Sequence, residues 1–267
     1  TYAEEIKTED GGFGLDALLR DRSDELVGIL NGADYTVWSP DIDRYIDVQY
    51  DVESLNGKRR NKAEMQHRFE LPIRPTVPIL AFIGRLTDQK GLDVLLPAVR
   101  SLLSDFESDR EGFQMLFLGE GDPEYADKLR ELADDFPSRI GVHVGYNEEL
   151  AHKYQAGSDM LVIPSKYEPC GLTQLYAMRY GTLPIVHSTG GLADTVVDPK
   201  DTESGNGSGF VFDEFTPDAL GETIMRACDG YRNYRKWRPL MENAMLRDFS
   251  WGESARKYAD VYNRTRE

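Results

Sequence analysis

The chain has 267 residues, 40% of them hydrophobic and 10% aromatic, an ordinary globular composition with enough length for one large domain or two small ones. Its formal net charge of -16 sets up a field that repels nucleic acid and anionic membranes, so an anionic ligand must be drawn in by a local cationic patch. Two cysteines, Cys170 and Cys228, with no CxxC pair, speak against a disulfide framework or a structural zinc site.

That cysteine usage fits a reducing cytosol. No apolar stretch approaches the roughly 18 residues of a membrane span, and the N-terminus lacks the basic-then-apolar order of a signal peptide. The chain opens on Thr1 rather than Met, as expected of a processed or partial chain.

Residues 1–30 are mixed: a Gly-rich loop (Gly11-Gly12-Phe13-Gly14), a helical pattern through Leu15, Leu18 and Leu19, and a strand-like run at 26–30. This is too little to fold alone. A polar, aromatic-dotted loop over 31–51 contains Trp38-Ser39-Pro40, and a charged helix over 55–69 is stopped by Pro72, Pro75 and Pro78.

From Val77 the pattern alternates between strand and helix. Strands are predicted at 78–83, 114–118, 140–144, 159–163 and 183–186, with amphipathic helices at 93–106, 123–136, 147–156 and 172–180 between them. After the loop 205–209 come a strand at 210–212 and helices near 216–228, 231–248 and 250–263. Short, mostly apolar strands alternating with helices predict an α/β fold, a Rossmann-like parallel sheet sandwiched by helices.

Ligands of such sheets bind beyond the carboxyl ends of the strands, and two loops there carry chemistry. Arg85 and Lys90, in Gly84-Arg85-Leu86-Thr87-Asp88-Gln89-Lys90-Gly91, combine a rigid fork of donors with a point charge, a pair suited to a diphosphate. Two solvated surface cations would look the same, and no Walker string is present. In Glu168-Pro169-Cys170-Gly171-Leu172-Thr173-Gln174, Pro169 delays the next helix. The amides of Gly171, Leu172 and Thr173 then become first-turn donors beside a carboxylate able to accept from sugar hydroxyls. A carboxylate that only complements the helix dipole is the plainer reading.

Thr189-Gly190-Gly191 lets backbone approach a ligand closely, although Gly-Gly after a strand is more often a turn. Tyr146, at the end of the third strand, offers a face to a base or packs half-buried in its loop. His67, His143, His152 and His187 show no metal spacing, and structural or surface roles are expected for all four.

These segments, together with Gly28-Ile29-Leu30-Asn31-Gly32-Ala33-Asp34, Trp38-Ser39-Pro40, Leu175-Tyr176 and Thr189 to Thr195, run in the order and spacing of a known family. The chain resembles bacterial glycogen synthases and plant starch synthases, retaining glucosyltransferases of family 5 with the GT-B fold. The resemblance covers essentially the whole chain and implies the C-terminal half of a GT-B enzyme. Residues 1–30 would be the tail of the N-terminal domain with the linker, 31–248 the nucleotide-sugar-binding domain, and 249–267 a helix returning to the N-terminal domain. That domain's Lys-Thr-Gly-Gly-Leu loop and catalytic histidine have no counterpart in this sequence.

The resemblance assigns Arg85 and Lys90 to the donor phosphates and Glu168 to the glucose hydroxyls, these three being the catalytic candidates. Asn31, Tyr146, Cys170, Gly171, Leu172, Thr173, Thr189, Gly190 and Gly191 become substrate-binding, with Tyr146 stacking on adenine. Tyr176 stands where many retaining relatives carry a second Glu, as in the starch and glycogen synthase branch. The implied partners are ADP-glucose or ADP and an α-glucan acceptor held by the other domain, with no nucleic acid and no membrane.

The family needs no divalent metal, because cationic side chains and helix termini take over its electrostatic role, so no metal or other cofactor is expected. The compartment would be the bacterial cytoplasm, or a plastid for a plant enzyme. A nucleotide-sugar binding module without turnover is the alternative function. A dinucleotide-binding dehydrogenase domain is disfavoured, since no G-x-G-x-x-G follows the first strand.

Overall fold

The computed structural model describes residues 1–106, 112–202 and 205–265. Two short helices, α1 (Tyr2–Glu5) and α2 (Asp16–Asp21), precede an irregular stretch and then α3 (Asn56–Arg68). The alternating part follows: β1 (Ile79–Ile83), α4 (Leu92–Ser104), β2 (Gln114–Gly119), α5 (Pro123–Asp135), β3 (Ile140–Val144), α6 (Glu148–Gly157), β4 (Met160–Ile163), α7 (Thr173–Arg179), β5 (Leu183–His187), α8 (Gly190–Thr195) and β6 (Phe210–Phe212). Helices α9 (Pro217–Arg232), α10 (Tyr234–Leu246) and α11 (Trp251–Arg264) complete it.

All six strands pair in parallel, in the order β3-β2-β1-β4-β5-β6. The order reverses between β1 and β4, and a crevice opens at the carboxyl ends of strands flanking such a reversal. Successive side chains in each strand go to opposite faces. Leu80, Phe82, Met115, Phe117, Met160, Val162 and Ile185 belong to one core cluster with residues of α4, α5, α9 and α10. Ile79, Ala81, Leu116, Leu118, Leu161, Ile163 and Val186 belong to another with residues of α3, α6 and α8. Burial on both faces explains why the strands read as continuous apolar runs instead of alternating ones.

Local chemistry sets the helix starts. Asp122, Asn147 and Thr216 cap α5, α6 and α9 by accepting from the amides of Glu124, Leu150 and Ala219, and proline follows the first and third.

Two expectations are corrected. Residues 26–30 form no strand, because among the described residues no neighbouring strand lies alongside; farther on, Ala33 bridges to Ser250, its amide donating to the Phe249 carbonyl at 2.7 Å. The Gly190-Gly191 pair opens α8 instead of making a simple turn, with Gly190 left-handed at φ 46°. The charged helix α3 is present but half sunk: Lys58, Asn61, Lys62 and Gln66 are all buried. Among the described residues no helix is long and apolar enough to cross a membrane.

Candidate active site

Gly84 to Gly91 follows β1 and Pro164 to Leu172 follows β4, so the strand order brings the two loops together. Backbone locks them: the Lys166 amide donates to the Gln89 carbonyl at 2.9 Å, and Gln89 Nε2 to the Tyr167 carbonyl at 2.7 Å. Gly91 permits the approach. Its φ is 73°, and a β-carbon there would lie 1.9 Å from the Pro164 carbonyl oxygen.

The product is an ion pair across the reversal, Lys90 Nζ to Glu168 Oε2 at 2.5 Å, with both side chains mostly buried. Ser165 Oγ donates to the same carboxylate oxygen at 3.0 Å, and His187 Nδ1 lies 2.9 Å from the Ser165 carbonyl, which fixes the loop from β5. The pair borders an open cleft of about 390 Å³ that also takes in Asn31, Cys170, Gly171, Leu172, Thr173 and Tyr176. The Asn31 amide donates to Cys170 Sγ at 3.2 Å, and burial pushes the Cys170 thiol up. Gly171 is left-handed at φ 69°, which turns the chain into α7. Among the described residues the Leu172 and Thr173 amides have no acceptor, as first-turn amides do not.

Other predicted residues lie outside the cleft lining. Arg85 is exposed on the β1 loop, its guanidinium donating to Gln89 Oε1 at 3.1 Å. Tyr146 is 76% exposed at the end of β3, two strands or about 10 Å from β1.

Thr189, Gly190 and Gly191 meet protein. The Gly191 amide donates to the Glu168 carbonyl at 2.9 Å, and β-carbons on Gly190 and Gly191 would strike the carbonyl oxygens of Glu168 and Cys170. The close approach those glycines allow is thus to the Glu168–Cys170 backbone. A carboxylate with no signal in the sequence completes the corner: Glu5 accepts from the Gly190 amide at 2.8 Å and from Thr189 Oγ1 at 3.2 Å. Glu5→Ala is expected to cost about 1 kcal/mol of stability, read as a lower midpoint in urea.

Behind the cleft, Trp38 stacks between Tyr176 and His152, with centroids 4.4 Å and 3.6 Å away. His152 is fully buried with Nδ1 2.7 Å from Asp43 Oδ2, and Tyr180 donates to the same oxygen at 2.5 Å. These contacts agree with a structural histidine. They also engage the Asp43 carboxylate of the string Asp41-Ile42-Asp43, which has the spacing of a metal-binding Asp-x-Asp. Among the described residues no group of three or more His, Cys, Asp or Glu could hold a metal ion.

The family described as Glycosyl transferases group 1 matches residues 64–242. A glycogen synthase of Thioalkalivibrio sulfidiphilus is 46% identical over 264 residues, 98% of this chain and 54% of that protein. Glycogen synthase 2 of Nitrosococcus oceani is 47% identical over 264 residues, 98% of this chain and 52% of its own. The catalytic domain of starch synthase IV from Arabidopsis thaliana, solved bound to ADP and acarbose, superposes with a TM-score of 0.91 at 35% identity, covering 99% of this chain and 54% of that one. The chain spans about half the length of the curated relatives it matches.

Proposed function

Since the chain belongs to the group 1 glycosyltransferases, we propose that it forms the donor-binding side of an ADP-glucose:1,4-α-D-glucan glucosyltransferase, of the kind that extends glycogen or starch. The meeting of Lys90 and Glu168 across the sheet reversal carries this reading, because it joins a cation for a diphosphate to a carboxylate for sugar hydroxyls in one cleft.

In the proposed complex Lys90 leaves Glu168 for the diphosphate, and Arg85, exposed and held by Gln89, swings to the same anion. Together they stabilise the negative charge that grows on ADP as the bond to the glucose anomeric carbon breaks, the usual site of the largest electrostatic gain. Glu168, released from Lys90, accepts from glucose hydroxyls, and the amides of Leu172 and Thr173 donate to sugar or phosphate. Asn31, Cys170 and Gly171 line the sugar end, and Tyr146 takes the adenine at the distance a diphosphate and ribose must span. Thr189, Gly190 and Gly191 support the loop from behind. The two cations supply the charge that a divalent metal supplies elsewhere. The acceptor side of the cleft is assigned to the part of the relatives' length that this chain does not span.

Calorimetry with ADP, ADP-glucose, UDP-glucose and NAD tests the reading: ADP and ADP-glucose should bind, and binding of NAD without ADP-glucose would sink it. Glu168→Ala is expected to narrow the difference in affinity between ADP-glucose and ADP. An equal loss on both ligands would leave Glu168 a purely supporting role. In an assay of ADP release with glycogen, the 267-residue chain should show binding without turnover, and robust turnover would refute the division of the cleft.

A further inference from the structure

The amino ends of the strands carry a second cavity, on the opposite rim of the sheet from Lys90 and Glu168. It encloses about 640 Å³ between α3, the 73–76 loop and the corner where α9 gives way to α10. That volume is typical of a small-molecule site. One wall is apolar and aromatic, with Ile73, Tyr234 and Trp237; the other brings Lys58, Arg59, Lys62 and Arg232 against one carboxylate, Asp159.

Two of these cations are already balanced, Lys62 by Asp159 at 2.7 Å and Arg232 by Asp229 at 2.6 Å. Lys58 and Arg59 are not. Lys58 Nζ donates to Thr182 Oγ1 at 2.6 Å and to the carbonyls of Ala156 and Gln155 at 3.2 and 3.4 Å, all neutral acceptors. The Arg59 guanidinium lies 5.0 Å above the Tyr234 ring at the mouth and forms no ion pair among the described residues. In a chain of net charge -16, a cavity with two unbalanced cations beside aromatic rings is a local reversal of the field.

We propose that this cavity is a second ligand site, for a small organic anion that joins a phosphate or carboxylate to a ring. The anion pairs with the Arg59 guanidinium at the mouth, with the Lys58 charge behind it, and the ring packs on Tyr234 and Ile73, which are exposed. Neither group belongs to the candidate active site, so the proposal stands apart from the glucosyltransferase reading.

Burial with no carboxylate partner pushes the Lys58 ammonium down to about 7. The groups that face it are Lys62 on its own helix, which lowers it further, Asp159 from the start of β4, which raises it, and the Tyr50 ring at 5.8 Å. An arriving anion favours the charged form, so binding above neutrality takes up a proton.

The test is calorimetric titration of the chain with phenyl phosphate at about pH 8, repeated on the Lys90→Ala variant, which disables the nucleotide cleft. Saturable binding is expected, with a heat that varies with buffer ionisation enthalpy as proton uptake requires. Arg59→Ala, an exposed position that leaves the fold intact, should weaken it by at least about tenfold, the scale of a charged hydrogen bond. Inorganic phosphate, which lacks the ring, should bind at least about tenfold more weakly. Benzoate in a parallel titration tells carboxylate from phosphate as the preferred head group, and saturable binding of either supports the site. The proposal is overturned if neither phenyl phosphate nor benzoate binds, if Arg59→Ala leaves the affinity unchanged, or if inorganic phosphate binds as tightly as phenyl phosphate. Loss of phenyl phosphate binding in the Lys90→Ala variant would likewise overturn it, because the ligand would then lie in the nucleotide cleft, as would the absence of proton uptake.

Discussion

Lys90→Ala is expected to weaken ADP binding by about 1.5–3 kcal/mol, a loss of roughly 10- to 150-fold in affinity. Among the described residues Lys90 is the one ammonium in the lining of the cleft, and it is only partly exposed, so its field on a bound diphosphate is poorly screened. In the proposed complex its 2.5 Å contact with Glu168 is given up, so the measured loss would be a difference between two charged partners. Titration calorimetry on the variant and the parent chain gives the number directly. Arg85→Ala should fall in the same range, and an affinity left unchanged by either substitution removes that residue from the site.

The second large effect lies at the other rim of the sheet. Asp159→Ala is expected to lower the unfolding free energy by about 3–5 kcal/mol, the scale on which breaking a buried ion pair destabilises a protein. Asp159 Oδ2 accepts from Lys62 Nζ at 2.7 Å and from the Ile79 amide at 2.8 Å. Its own amide and carbonyl pair with the backbone of Ile79 and Leu183. One residue therefore holds the starts of β1, β4 and β5. Removing the carboxylate leaves a buried ammonium on Lys62 with only neutral partners and orphans an amide. Urea unfolding checks it, and a midpoint shifted by less than about 1 kcal/mol equivalent would show that water reaches Lys62. Pairing Asp159→Leu with Lys62→Met should recover much of the loss, because an apolar pair of similar volume carries no desolvation cost.

The alternating core was legible because each parallel strand is buried on both faces and so appears as an unbroken apolar run between turn signals. The convergence of Lys90 with Glu168 was legible for a related reason: both follow such runs, and strand order does the rest. What escaped the sequence reading depends on contacts far along the chain. Residues 26–30 have a strand's composition and, among the described residues, no strand beside them. Helix α8 begins at a left-handed glycine whose position is set by the carbonyls of Glu168 and Cys170, which no local pattern encodes. Glu5 reaches Gly190 across 185 positions. Lys58 and Lys62 sit in a helix whose charge count suggests a solvated face, yet both are sunk against carbonyls at strand and helix ends, and the second cavity went unseen with them.

The reversal of strand order also has a consequence in time. As the polypeptide leaves the ribosome, β1, β2 and β3 are complete and can pair with one another before β4 exists. The ion pair spans 78 positions, so neither the crevice nor the charge arrangement within it can form until the chain has grown past Glu168. Closing so long a loop costs entropy that grows only slowly with its length, and a nucleotide bound across the two loops would offset it. ADP present during synthesis is thus expected to act late, on nascent chains that have passed β4, and to leave shorter ones unprotected against proteolysis.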